Sequence, residues 1–545
     1  MSSIDGAHIG RAAPAGRRTK AKPVPSSAAP SRRIPVRRSL KAVVGALGAA
    51  AVKSPPDAST SAPPFRMPKV RVPTFPQRVV DVRDHGAVGD GIVDNQLAFA
   101  SAIRACAQAG GGRVLVPAGT WVTGPIHLLS NVNFHLAEGA VVRFVEDPKR
   151  YLPPVFVRWG GQECFNFSPL IYARDCNNVA VTGRGTLVGN GRAWWPWAKQ
   201  QQRTCDKLYD MVLGGVPVDQ RVFNNGDAFL RPQFILPINC TNVLLDGFTI
   251  ADGGGPFWNV HVAYCQNVVI RNVTIDAPDG PNSDGIVIDS SRNVLIEDCS
   301  IASGEDCVSL KSGMNEDGWR VGKPTENVIV RRIRATNGKG AMAIGSDMSG
   351  GVRNVFVHDC TFDGPSVGVR LKAARGRGGT VEHVYVRDIT MGRIPGDAIQ
   401  FTTEYPAFAK KDGQAPTFRN IDIRNVTCAH AKAAVRMVGL PDAPFQDIHL
   451  ENVQIEAEEG LSCSACNRID LVDVRITPQR GPVLSLRDGT EVLIQGLNSA
   501  KSASVFLDLR GRLTRNIRLR GAKDGVGRPT VVLGIDVPTD VLVHE

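Results

Sequence analysis

The sequence predicts an all-β protein, a single-stranded right-handed parallel β-helix closed at its N-terminal end by a capping helix. Three observations carry this. A short β-rich phrase recurs along the chain, its spacing suits one coil per repeat, and a glycine-bounded amphipathic segment precedes the first recurrence.

The phrase runs CNNVAVTGRGTL, CTNVLLDGFTI, CQNVVIRNVTI, SRNVLIEDCSI, TENVIVRRIRA, VRNVFVHDCTF, VEHVYVRDITM, FRNIDIRNVTC and FQDIHLENVQI, starting at Cys176. Each copy has a polar residue, usually Asn, followed by β-branched residues at alternate positions. Period two is the mark of a strand with one buried face. Asn242, Asn267, Asn293, Asn327 and Asn354 are separated by 25, 26, 34 and 27 residues. A near-constant period of this size means one structural unit per repeat, stacked on its neighbours. Helical repeats are excluded by the β-rich phrase, and leucine-rich repeats by the missing Leu spacing. Parallel coils with a rise of about 4.8 Å fit. Asn at a fixed offset tolerates a left-handed turn, where its side chain can satisfy backbone groups. Cys at a repeated position reads as a small buried side chain.

Upstream, VVDVRDHGAVGDGIVDNQLAFASAIRACAQAGGG gives a strand, a Gly-rich turn and a helix from about Asp94 to Gly110. Leu97, Ala100, Ile103 and Ala107 share one face of that helix, suited to plugging the open end of a solenoid. The GAVGDG glycines are turn residues, since no GKS or GKT follows to make a nucleotide loop. After about residue 480 weaker strand patterning, in VLIQGL, IRLRG and VVLGID, completes the last coils.

Of the 545 residues 43% are hydrophobic, as in a folded protein, and the formal charge is +12. That charge is local. Residues 1–71 hold fourteen Lys and Arg against Asp5 and Asp57 alone, which leaves the rest formally neutral. A neutral body offers no phosphate-tracking surface by composition, so nucleic acid is not an expected partner. Within 31–54, Arg37-Arg38 precede an apolar run from Ala42 to Val52 with small residues at Ala49-Ala50-Ala51. This order predicts a secretory leader over 1–53, too short in its apolar part to span a bilayer. Arg37-Arg38-Ser39-Leu40-Lys41 resembles a twin-arginine export signal. A Pro-rich linker over 54–76 and a β-helical body over 77–545 follow. The expected location is periplasmic or extracellular, with no membrane in the mature form, as a monomer. Only Cys463 and Cys466 among twelve cysteines form a CxxC, so neither a metal nor a cofactor is expected.

Four motifs carry chemistry: Asn282-Ser283-Asp284-Gly285, Gly304-Glu305-Asp306-Cys307, Gly338-Lys339-Gly340 leading into IGSDMSGGVRNV, and Arg370-Leu371-Lys372. Asp284 precedes Glu305 and Asp306 by 21 and 22 residues, about one coil, so the three carboxylates are expected to stack on adjacent turns. Their repulsion raises at least one pKa, as a general acid needs. Inverting glycosidases use one protonated carboxyl at the leaving oxygen and one carboxylate holding water. Arg370 and Lys372 alternate on a strand and share a face, leaving Leu371 inward. A guanidinium and an ammonium there suit the carboxylate of an acidic sugar.

From about Val80 to Ile476 these motifs resemble glycoside hydrolase family 28, the polygalacturonases and their relatives. The resemblance implies a β-helical hydrolase of acidic, pectin-type polysaccharide. It implies catalytic roles for Asp284, Glu305 and Asp306, with Glu305 as general acid and the two aspartates activating water. It also implies sugar contacts for Asn282, Lys339, Arg370, Lys372 and His261, the last in GGGPFWNVHVAYC beside Trp258. Two positions depart from the family pattern: Glu305 stands where an aspartate is usual, and Lys339 where GHG has its imidazole. Trp194, Trp195 and Trp197 fall in an insertion that can shape subsites. The departures keep other readings open, namely a rhamnogalacturonan hydrolase and a carbohydrate-binding β-helix that has lost turnover. A lyase of the same fold is a further reading, since folds host many chemistries.

Overall fold

Alternating apolar residues stack into ladders only if successive coils keep register, and here they do. In the structure, a computed structural model that describes residues 62–544 apart from 226–227, 407, 409, 411, 500–504 and 523–529, most coils contribute three short strands. One coil consists of Val260–Ala263, Gln266–Arg271 and Thr274–Ala277, and each strand pairs in parallel with its counterpart one turn on. The ladder Val260, Ile286, Val308, Met342, Val369 lies beside Val262, Ile288, Leu310, Ile344, Leu371, and every member is buried. Burying each such side chain contributes roughly 1.5–3 kcal/mol. The right-handed parallel β-helix is therefore present, and strands continue to Leu542–His544.

The Asn positions form a second ladder. Asn242, Asn267, Asn293, Asn327 and Asn354 all sit at φ of 55° to 57°. Each donates from its side-chain amide to the Asn one coil earlier, as Asn267 does to Asn242 at 3.1 Å and Asn354 to Asn327 at 3.0 Å. The partners are other side chains rather than the backbone. All twelve cysteines are free and buried, and burial pushes the thiols of Cys299 and Cys307 up to about 12.

Helix α1 (Gln96–Gln108) covers the first coil with a face rotated from the expected one, keeping Ile103 and Ala107 on the core. Phe99, Ala102, Ile103 and Cys106 are buried, while Leu97 is 82% exposed. Phe99 decides the rotation: its ring packs against Trp121 and Phe134, and a larger apolar surface takes the core. The leader predicted over 1–53 lies outside the described residues. The described end of the Pro-rich stretch lies on the body, with Val70 and Phe75 over the outward Ala180, Leu244 and Val269. Among the described residues no helix is long and apolar enough to cross a membrane.

Insertions build walls beside one sheet. Strands β1 (Val155–Trp159) and β2 (Gln162–Asn166) form an antiparallel hairpin, and helix α2 (Ala198–Leu213) follows in the next long excursion. The sheet they flank runs through β3 (Val260–Ala263), β4 (Ile286–Asp289), β5 (Val308–Lys311), β6 (Gly340–Ile344) and β7 (Val367–Lys372). Helix α3 (Asn315–Val321) leaves the chain after β5.

Candidate active site

Each chemical motif ends two residues or fewer from a strand of this sheet, so coil register aligns them. The Asn259 amide donates to the Asp284 carbonyl, Gly285 to Asp306, and Cys307 to Gly340, at 2.9, 2.9 and 2.7 Å. Asp284 and Asp306 are therefore stacked neighbours, about 4.8 Å apart along the axis. A Cβ on Gly340 would come within 2.6 Å of Asp306 Oδ1, so the glycine leaves room for that carboxylate. Gly338-Lys339-Gly340 serves Asp306 through its second glycine.

Each carboxylate has its own cation. Lys372 Nζ donates to Asp306 Oδ2 at 2.6 Å, and Arg370 Nη1 stands 3.6 Å from Oδ1. Lys339 Nζ lies 2.7 Å from Glu305 Oε2, and Lys311 Nζ lies 3.5 Å from Asp284 Oδ2. Burial pushes the Asp284 carboxyl up to about 7, aided by the charges of Asp306 and Glu305 and opposed by Lys311 and Lys372. Burial also pushes Asp306 up, but Lys372, Lys311 and Arg370 outweigh it and hold its carboxyl below the usual value. The two stacked aspartates thus differ in proton affinity, an asymmetry that acid–base chemistry uses.

Around them lies a pocket of about 200 Å³. Asn282, Asp284, Glu305, Asp306 and Lys372 line it, with Asn282 at the exposed rim. Arg370 and Lys339 flank the carboxylates as their ion partners. The walls are aromatic: Trp159 of the β1–β2 hairpin stacks on Phe257, which stacks on Trp258. Gln201 and Cys205 of α2, with Tyr405 and Phe408, complete the enclosure. Tyr405 also lies under the cations of Arg370 and Lys372. Among the described residues no cluster of His, Cys, Asp and Glu is arranged to hold a metal.

The structure corrects one sequence-based placement. His261 is not in the groove: it is fully buried, with Nε2 3.4 Å from Asp289 Oδ2 and its ring edge-on to Trp258. It does share the outward column of Arg370, through Val287, Ser309 and Ala343. The β1–β2 hairpin roofs that end of the column, where Arg158 pairs with Asp289 at 3.0 Å. His261 does not line the pocket, whereas Phe257 and Trp258 of the same segment do. Lys311, Asp347, Tyr405 and Trp159 line the pocket and were not singled out from sequence. Lys311 had a signal, because Ser309 and Lys311 alternate with inward Leu310 as Arg370 and Lys372 do with Leu371.

The family described as Glycosyl hydrolases family 28 matches residues 156–476, a span holding all of these motifs. The chain belongs to glycoside hydrolase family 28. A probable polygalacturonase of Vitis vinifera is 32% identical over 410 residues, covering 72% of this chain and 78% of that relative. Among solved structures, a hyperthermoactive exopolygalacturonase from Thermotoga maritima is 38% identical with a TM-score of 0.69, over 71% of this chain and 89% of the other. The family 28 exopolygalacturonase of Yersinia enterocolitica has a TM-score of 0.62 at 19% identity, over 85% and 79% of the two chains, and shares the fold. As a family 28 member the protein is a hydrolase of glycosidic bonds, so the carboxylate pocket is where its reaction is to be sought.

Proposed function

We propose that this family 28 hydrolase is exported and cleaves pectic, galacturonate-containing polysaccharide with inversion, taking one uronate at a time from a chain end. The observation that carries the reading is the small, aromatic-walled carboxylate pocket. Three acids meet cations in a cavity of about 200 Å³. This is smaller than the roughly 300 Å³ at which pockets for drug-sized ligands begin, and suits one sugar unit rather than a through-running chain. The likeness to an exopolygalacturonase at 38% identity supports the same mode.

In this reading Asp306 stays ionised and, with Asp284, holds the attacking water. Glu305, the more exposed carboxyl, protonates the leaving oxygen. Lys339 is 62% exposed in its side chain and free to swing from Glu305 to a uronate carboxylate, leaving Glu305 to carry the proton. Arg370 and Lys372 bind the acidic sugar beside the scissile bond, and Asn282 contacts it at the rim. The Arg37-Arg38 leader supports export.

The test is a panel of pectic polysaccharides with reducing-end detection and product sizing. Galacturonate monomer released from the first time point supports the proposal. A ladder of oligomers overturns the chain-end mode, cleavage of rhamnogalacturonan alone overturns the substrate, and an ultraviolet-absorbing unsaturated product overturns hydrolysis.

A further inference from the structure

Lys311 is a buried cation that the four motifs do not account for. It ends β5, five residues after Asp306, with its side chain packed inside the pocket wall. Its ammonium lies 3.5 Å from Asp284 Oδ2, 3.4 Å from the Gly345 carbonyl and 5.0 Å over the ring of Trp258. Burying an ammonium is costly unless opposite charge and ring faces replace its water. Burial by itself would lower the Lys311 pKa, but Asp284, Asp347 and Asp306 outweigh it and raise it, so the side chain stays charged.

The other cations of the site are committed elsewhere. Lys372 and Arg370 face Asp306, and Lys339 faces Glu305. One coil earlier in the column of Lys311 itself, Arg158 and His261 face Asp289, and Arg377 stands 3.8 Å from Asp347. Among the described residues Lys311 is the one ion-pair partner of Asp284. The groups bearing on Asp284 are thus Lys311 and Lys372, which favour its anion, and Asp306, Glu305 and burial, which oppose it.

We propose that Lys311 is a positioning residue for catalysis, biasing Asp284 toward its anion and fixing its carboxylate toward the attacking water. The proposal rests on the reading of Asp284 as part of the base. It predicts a specific failure when the charge is removed. A base must be deprotonated to act, so the acid limb of the kcat/KM profile reports its proton affinity in the free enzyme. An opposite charge at this distance lowers a carboxyl pKa by roughly 1–3. Losing it therefore moves the acid limb upward.

The experiment is the pH profile of kcat/KM on polygalacturonate for the full chain and for Lys311→Met, Lys311→Gln and Lys311→Arg, each checked by thermal unfolding. The expected result is an acid limb raised by about one pH unit or more in the Met and Gln variants, with activity recovering at higher pH. In Lys311→Arg the limb stays near that of the parent. A folded neutral variant whose acid limb does not move overturns the role of Lys311, as does movement of the alkaline limb instead. Asp284→Asn separates the role of Lys311 from that of Asp284. If it retains turnover, the base reading itself falls. If it is inactive while the Lys311 limb is unmoved, only the inference about Lys311 falls.

Discussion

Lys372 reaches past an intervening coil to place its ammonium 2.6 Å from Asp306 Oδ2, and both side chains are buried. The pair is worth more to the fold as a pair than either charge is alone. Replacing Lys372 with Met leaves a buried carboxylate with Arg370 at 3.6 Å as its remaining contact. Breaking a buried ion pair from one side costs about 3–5 kcal/mol. The pH dependence has a definite sign. The folded carboxyl of Asp306 is held low, so its stabilisation is present above the unfolded value of about 3.9 and lost as pH falls through the folded one. Urea unfolding is expected to show Lys372→Met well below the parent at pH 7, with the gap closing below about pH 4. An equal gap at both pH values counts against the pairing.

Gly340 gives a second, steric prediction. A methyl group there would sit 2.6 Å from Asp306 Oδ1 and 3.6 Å from Arg370 Cδ. Gly340→Ala is expected to displace the carboxylate by a few tenths of an ångström or more, and misplacement approaching 1 Å costs up to about a hundredfold in rate. Steady-state kinetics are expected to show a fall in kcat far larger than any fall in thermal stability. Unchanged kcat would mean that Asp306 does not need its present position.

The β-helix was legible because its signal is local and repeated: each phrase sets one strand, and the Asn offset sets the coil. The acidic stack was legible for the same reason, since spacing near one coil puts Asp284 over Asp306. Lys311 was missed although it obeys the same alternation, because it belongs to no motif. The walls were legible only in part, through Trp258 and the insertion that carries Trp194, Trp195 and Trp197. Trp159, Gln201, Tyr405 and Phe408 come from insertions with no period, and only the folded chain brings them to one pocket. The face of α1 was misread because Phe99 outweighs Leu97 once Trp121 and Phe134 are beneath it.

Glu305 tests the division of labour among the acids. Its contact with Lys339 is half solvent-facing, and such pairs contribute about 0–1 kcal/mol. Glu305→Gln is therefore expected to unfold within a few degrees of the parent. As the proposed proton donor, however, its loss is expected to lower kcat by about 10²–10⁴. Differential scanning calorimetry beside single-turnover assays reads both quantities. A variant that turns over at the parental rate would move the acid role to another carboxyl.

His261 is expected to matter to the fold and not to the sugar. Burial lowers its pKa, and the hydrogen bond and charge of Asp289 only partly reverse this. The folded protein thus keeps a neutral imidazole where the unfolded chain, with a pKa of about 6.5, takes up a proton. Stability from this residue is therefore lost as pH falls below about 6.5 toward the folded value. His261→Gln removes that linkage, so its stability is expected to decline less steeply between pH 7 and pH 5 than that of the parent. At pH 7 the variant is expected to lose about 1–3 kcal/mol through imperfectly paired buried groups. Because Arg158 and the hairpin roof keep sugar away from the imidazole, KM is expected to stay within about twofold. A several-fold rise in KM with no change in stability would return His261 to the substrate.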